Sequence, residues 1–518
     1  MSGFARRAAL AAVVTLGFGM AGPAQAEKTT LVVAMSAADA GRLDPHLTST
    51  HVDKVLLNWV FNGLVRIKPG EASPAYIEPD LAESWDSNED ATVWTFKLRE
   101  GVQCHHGYGE LTSEDVVYSI ERAADGNRSS FSGDFSAIDD VTAVDRYTVR
   151  VALKAPVPSL LGILTNYHGG NIVCKKAAEE LGENFATRPI GTGPFMFEEY
   201  KSQQYTRLVA NEGYFRGAPQ IKEIVYRYIP SDAARDLAFE AGEVDMIYGK
   251  QDASWIQRIQ ALPGAVIAVM EPTELSTIYL NMSSEPLDDI RVRKAIAHAI
   301  DRKALAQLKG GETNRPAQSV IPVANLGFSP VPLAEHDIGK AKALLAEAGF
   351  PDGVTVKAIQ STLPVLMSIM EGVQAQLRAA GINLEIIPVE HATYHSQIRD
   401  DLSQVVLYQA ARFPVADVYL TNFYHSASTV GTATAITNFS HCDVADADIE
   451  AARSETDIEK QKALWTRAQE RIGEAVCGVP LIETLQLYAY SDKLQLGYDL
   501  NGSLNLGPPI TEKSHFVD

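Results

Sequence analysis

Cys104, His105 and His106 stand side by side, three residues of types that ligate zinc or copper. Adjacent side chains diverge, however, and His106 falls in what reads as a turn, so the triplet lacks the spacing of a chelate. The other cysteines, Cys174, Cys442 and Cys477, make no C-x-x-C, so neither a zinc site nor a thioredoxin-like dithiol is indicated. The chain contains no G-x-S-x-G, no H-E-x-x-H, no P-loop and no G-x-G-x-x-G. Its 65 acidic residues against 45 basic ones read as a solvated surface. No catalytic residues, no cofactor and no metal are expected.

Residues 1–26 read as a secretory signal peptide: Arg6 and Arg7, an apolar run over 8–20, then Pro23-Ala24-Gln25-Ala26 before Glu27. The run is shorter than the roughly 20 residues that cross a bilayer. No cysteine follows the cleavage site to carry a lipid, and Ala-Ala-Leu after the arginines makes a weak twin-arginine signal. The expected location is the periplasm. Cleavage removes two arginines and takes the net charge from −20 to −22. That balance argues against nucleic acid and against anionic membrane surfaces as partners. Four cysteines in an oxidising compartment allow three disulfide pairings. Chain order favours Cys104–Cys174 and Cys442–Cys477, each within one presumptive domain, with buried free thiols as the alternative.

The elements that must position a site are readable in part. Residues 30–34 form a short apolar strand, and 55–65 have helical spacing. Residues 91–98, 147–153 and 223–229 alternate like half-buried strands. Thr112-Ser113-Glu114-Asp115 opens a helix, with Thr112 or Ser113 as its N-cap. A helix spans 290–300, with Val292, Ile296 and Ile300 on one face. Asp337 caps another that Gly349 and Pro351 stop. Then come a strand at 354–359, a helix at 365–380 ended by Gly381, a strand at 382–389, a short helix at 393–399 and a strand at 405–408. This β-α-β-α-β order is the pattern of a parallel sheet. Ligands sit beyond the carboxyl ends of such strands, which points to Ala410, Ala411, Arg412, Phe413 and Pro414.

Motifs run the length of the chain: Leu43-Asp44-Pro45; Leu81-Ala82-Glu83-Ser84-Trp85; Trp94 to Val102; Leu111 to Val116; Ile190-Gly191-Thr192-Gly193-Pro194-Phe195; Asn211-Glu212-Gly213-Tyr214-Phe215; Tyr279-Leu280-Asn281; 292–300 with Asp301-Arg302; Leu345 to Phe350; and Thr456 to Lys460. Together they resemble the family 5 solute-binding proteins, the oligopeptide-, dipeptide- and nickel-binding group of ABC importers. The resemblance implies an α/β fold of the two-lobed periplasmic binding protein type (type II, cluster C-like). The first lobe would combine 27–70, 185–270 and 485–518, with 71–184 as an inserted subdomain. The second lobe would be 271–484. It also implies hinge closure of the lobes on a peptide or peptide-like ligand, and delivery to permease subunits with their ATPases. Any membrane association would be peripheral, through that permease.

One position departs from the family pattern. In its peptide binders, the loop after the strand matching 405–408 carries an aspartate for the ligand's α-amino group; an ungapped match through Phe413, Tyr419 and Phe423 puts Arg412 there. A guanidinium repels an ammonium and attracts a carboxylate or phosphate, so the ligand is expected to carry an anionic group. The alternatives are a match shifted by one or two residues, with Arg412 on the surface or in a structural salt bridge, and Asp417 serving an amine. Ser36, after the first strand, and the aromatic Phe413 and Tyr394 are the expected pocket walls. A nickel or metal-chelate binder is the second reading, if His168 or His425 reaches the cleft. A hydrolase or chaperone-like protein on the same scaffold is the competing class.

Overall fold

The structure, a computed structural model, describes residues 28–48, 50–157, 160–165, 169–311, 313–431 and 437–517. The signal segment 1–26 and His168 lie outside them. Among the described residues no helix is long and apolar enough to cross a membrane.

One nine-stranded sheet runs through both halves of the molecule. Its order is Phe195–Lys201, Tyr205–Ala210, Glu223–Tyr228, Thr30–Met35, Met246–Tyr248, Gly478–Ser491, Ala265–Leu280 and Val405–Ala410, with Asn314–Pro316 paired beside Gly478–Ser491. Thr30–Met35 is parallel to both its neighbours; the other pairs are antiparallel. The strands Ala265–Leu280 and Gly478–Ser491 are long enough, at 16 and 14 residues, to belong to both halves. They pair from Ala265↔Ser491 to Tyr279↔Gly478, and the register breaks between Met270 and Glu274. At that break Glu483, fully buried, accepts from Arg315 (2.7 Å), Thr273 Oγ1 (3.0 Å) and the Val323 N–H (3.2 Å). Arg315 also holds Glu271 at 2.8 Å. A buried carboxylate needs such partners, because an unpaired one is strongly destabilising.

The first half carries a smaller four-stranded antiparallel sheet, Ala82–Ser87, Val93–Leu98, Thr148–Leu153 and Ile138–Asp145. Alternation in Thr148–Leu153 buries Val149, Val151 and Leu153, as period-2 side-chain geometry requires. Helix Ser113–Ala124 is capped by Thr112, whose N–H donates to Asp115 Oδ2 at 2.8 Å; this resolves the N-cap in favour of Thr112. The disulfide Cys104–Cys174 ties this region, with Cα atoms 6.2 Å apart. The stretch expected to be helical to residue 65 is helical only over His51–Val60. Asn62–Gly63 leaves it to pair with Asn171–Ile172.

In the second half, helix Ile290–Ala299 buries Val292, Ala295, Ile296 and Ala299. Helix Ile338–Glu347 is capped by Asp337, which accepts from the Lys340 N–H at 2.8 Å. Gly349 and Gly381 follow their helices with φ of 95° and 86°, the left-handed region glycine tolerates. Strands Val354–Ser361 and Ile382–Val389 pair in parallel over their whole length across helix Pro364–Ala379. The third strand of the expected parallel sheet does not join them. Val405–Ala410 pairs antiparallel with Ala265–Leu280 instead. Side chains fill the gap it leaves: Ser403 Oγ accepts from the Ile359 N–H and Gln404 Oε1 from the Lys357 N–H, both at 2.9 Å. A fully buried apolar strand reads the same in either sheet type, so its run of apolar residues could not decide its partner. Cys442–Cys477 links this half internally, with Cα atoms 5.7 Å apart.

Candidate functional site

A cavity of about 210 Å³ lies between the two halves. Gly133, Asp134, Val157, Gly162 and Ile163 line it from the first half; Arg412, Phe413, Asp417, Val418 and Arg453 line it from the other side. Arg412 and Phe413 reach it because strand Val405–Ala410 ends at Ala410 and helix Ala416–Tyr424 starts only at Ala416. The intervening loop turns the two side chains toward the facing half. The site lies beyond the end of the expected strand, although that strand is antiparallel to its neighbour.

Phe413 closes one wall. It is nearly buried, and a Cβ on Gly162 would fall 2.0 Å from its ring. The absence of a side chain at residue 162 is what lets the two halves meet there. Arg412 is held on its own side. Its Nη1 donates to the Ala411 carbonyl at 2.9 Å, and its guanidinium carbon lies 5.1 Å from the Phe423 ring centre. The cation–π contact holds the planar guanidinium against the aromatic face of its own side.

Charges from distant parts of the chain surround this arginine. Lys54, on helix His51–Val60, has its ammonium 5.5 Å from the Phe131 ring centre. Burial, and then the like charge of Arg412, push Lys54 down from 10.5 to about 7, against the pull of Asp134 and Glu274. Asp134 is exposed on the cavity wall; partial desolvation there pushes its carboxyl up, with Arg412 and Lys54 opposing. Glu274, just past the register break, is raised by burial and accepts from Gln409 Nε2 at 3.0 Å. Asp417 is raised by burial and lies 3.3 Å from Arg453 Nε. The cavity wall itself thus carries Asp134, Asp417, Arg412 and Arg453, with Lys54 and Glu274 coupled from behind it, a surface with both signs of charge.

Two of the four expected ligand-binding residues meet here, Arg412 and Phe413. Ser36 is exposed after strand Thr30–Met35 and does not line this cavity. Tyr394 is buried behind strand Val405–Ala410, its hydroxyl donating to the Leu407 carbonyl; that bond makes it part of the core and takes it off the cleft wall. His425 is buried with its Nε2 3.3 Å from Glu450 and is not among the lining residues. His105 and His106 are engaged by the Gly193 and Phe197 carbonyls at 3.0 and 2.7 Å. Sequence reading missed Lys54, Asp134, Gly162 and Glu274. No motif marks them, because their meeting depends on how the halves pack. A second crevice, lined by Asn58, Arg66, Tyr214, Asn505 and Thr511, is walled by the first half alone.

Known proteins give this arrangement its context. Residues 76–431 match the model of the bacterial extracellular solute-binding proteins, family 5. A protein of A. tumefaciens R10, solved as a binding protein in complex with mannopinic acid, is 49% identical, with a TM-score of 0.85 over 95% of this chain and 100% of that one. A Helicobacter pylori binding protein solved with the peptide STSA is 26% identical, with a TM-score of 0.80 over 94% and 98%. Di/tripeptide-binding protein 2 of Pseudomonas aeruginosa is 26% identical over 92% of this chain and 94% of its own. The match over most of the described chain, the two-strand crossing and the cleft between halves agree: this chain belongs to family 5 of the bacterial extracellular solute-binding proteins, the ligand-capturing subunits of ABC importers.

Proposed function

We propose that this protein works in the periplasm and captures an amino-acid-derived small molecule with at least one free carboxylate, of the mannopinic-acid kind, rather than an ordinary peptide. Arg412 carries this reading. It stands in the cleft at the position where peptide binders of the family are expected to hold an aspartate, and a guanidinium binds carboxylates in a planar fork. The relative solved with mannopinic acid supports the same ligand class. Lys54 adds a second cation, while Asp134 and Glu274 suit an amino group on the same ligand.

The lobes divide where the long strands cross, near residues 271 and 484, and Arg412 and Lys54 come from opposite lobes. A ligand anion between them relieves their mutual repulsion, so it binds the closed form better than the open one and shifts the population toward closure. Release is to a membrane permease with its ATPases. No step of this cycle requires turnover of the ligand.

Mass spectrometry of the small molecules released by denaturing the purified protein tests the reading. We expect a carboxylic acid that also bears an amine. Recovery of only peptides that calorimetry shows to bind more tightly than mannopinic acid would overturn it.

A further inference from the structure

Helix His391–Arg399 places His391 and His395 one turn apart, and neither lines the cleft. Their Nε2 atoms are 3.3 Å apart. Two nitrogens bound to one zinc at about 2.0–2.1 Å and the tetrahedral angle are themselves about 3.3–3.4 Å apart. The i, i+4 spacing on a helix is the one that brings two imidazoles to a single ion.

The surroundings prepare one ring for this. His391 Nδ1 is 2.9 Å from Ser361 Oγ, which also accepts from the Leu363 N–H at 3.2 Å. An Nδ1–H donated to that oxygen leaves the Nε2 lone pair of His391 unprotonated, the form a metal takes. Ser361 ends one strand of the parallel pair, and His391 follows the other by two residues. This is the carboxyl edge, where open parallel sheets collect ligands.

We infer that His391 and His395 form a two-histidine chelate for one borderline divalent metal ion of the zinc or nickel class, on the second lobe and outside the cleft. With two protein ligands the ion is exchangeable, and solvent completes its shell. All four cysteines are in disulfides, so no thiol competes for it.

Zinc chloride and nickel chloride, titrated calorimetrically into the mature chain without an affinity tag, test this. We expect one ion per chain, with His391→Ala and His395→Ala each weakening it at least ~10-fold. Ser361→Ala should weaken it up to ~10-fold through the lost orienting bond. His395→Gln provides a variant close in size should the alanine variant misfold, and X-ray absorption should count two imidazoles. His441→Ala, which removes a histidine 2.9 Å from Asp401, should change nothing. Wild-type protein that binds neither ion, or His391→Ala/His395→Ala protein that binds as tightly as wild type, overturns the inference.

Discussion

Replacing Arg412 separates a ligand-binding role from a structural one, because the two predict opposite balances of affinity and stability. Its protein-side interactions include a bond to the adjacent Ala411 carbonyl and the stacking on Phe423. A partly desolvated cation–π contact contributes about 1–2 kcal/mol, and Arg412→Ala loses it. A buried charge pair with a ligand carboxylate loses about 2–5 kcal/mol when one partner is removed, roughly 30- to several-thousand-fold in affinity. A second signature comes from Lys54, which titrates near 7 partly because Arg412 faces it. In wild type, affinity for an acid should therefore be high below pH 7 and fall as pH rises through 7 and Lys54 loses its charge. Arg412→Ala removes one cause of the depression, so the remaining affinity should fall off at a higher pH. Calorimetry with mannopinic acid from pH 5.5 to 9, beside thermal melts, reads both. Arg412→Lys should recover only part of the affinity, since an ammonium lacks the planar fork. Wild-type affinity in Arg412→Ala would end the anchor reasoning, and a large fall in melting temperature would assign the residue to the scaffold.

Lys54→Met should remove the pH dependence of binding. It should also stabilise the closed form below pH 7, by at most about 3–5 kcal/mol. Because the unfolded chain holds the Lys54 proton up to about 10.5, wild-type stability rises between pH 7 and 10.5, and the variant's advantage fades over that window; melts that differ equally at pH 6 and pH 10.5 would contradict this. Gly162→Ala places a methyl 2.0 Å from the Phe413 ring and should weaken ligand binding while sparing the fold, and adding Phe413→Ala should restore lobe contact; small-angle scattering of the liganded forms reads the closure. Non-reducing peptide mapping should recover Cys104–Cys174 and Cys442–Cys477. For loops of 70 and 35 residues, chain entropy gives about 4 kcal/mol each, measurable by denaturation of the paired serine variants.

Much of the scaffold is local in origin and was therefore legible. Asp337 and Thr112 cap helices, Gly349 and Gly381 end them, and the alternation of 148–153 sets its buried face, all through interactions within a few residues. The cysteine pairing was legible for a similar reason: each disulfide closes a loop inside one region of the chain. Strand partnership was not. The apolar residues of Val405–Ala410 record burial on both faces but carry no sign of which neighbour supplies the hydrogen bonds.

The candidate site divides along the same line. The sequence by itself determined that an arginine and an aromatic ring follow Ala411, because that is a matter of residue type at one place in the chain. Only the tertiary structure decided that Asp134 lines one cavity with Arg412, that Lys54 comes within electrostatic reach of both and of Glu274, and that Tyr394 turns inward to the Leu407 carbonyl. Coulomb energy and desolvation depend on distance through space and on what displaces solvent. Residues hundreds of positions apart acquire both only when two lobes fold and meet.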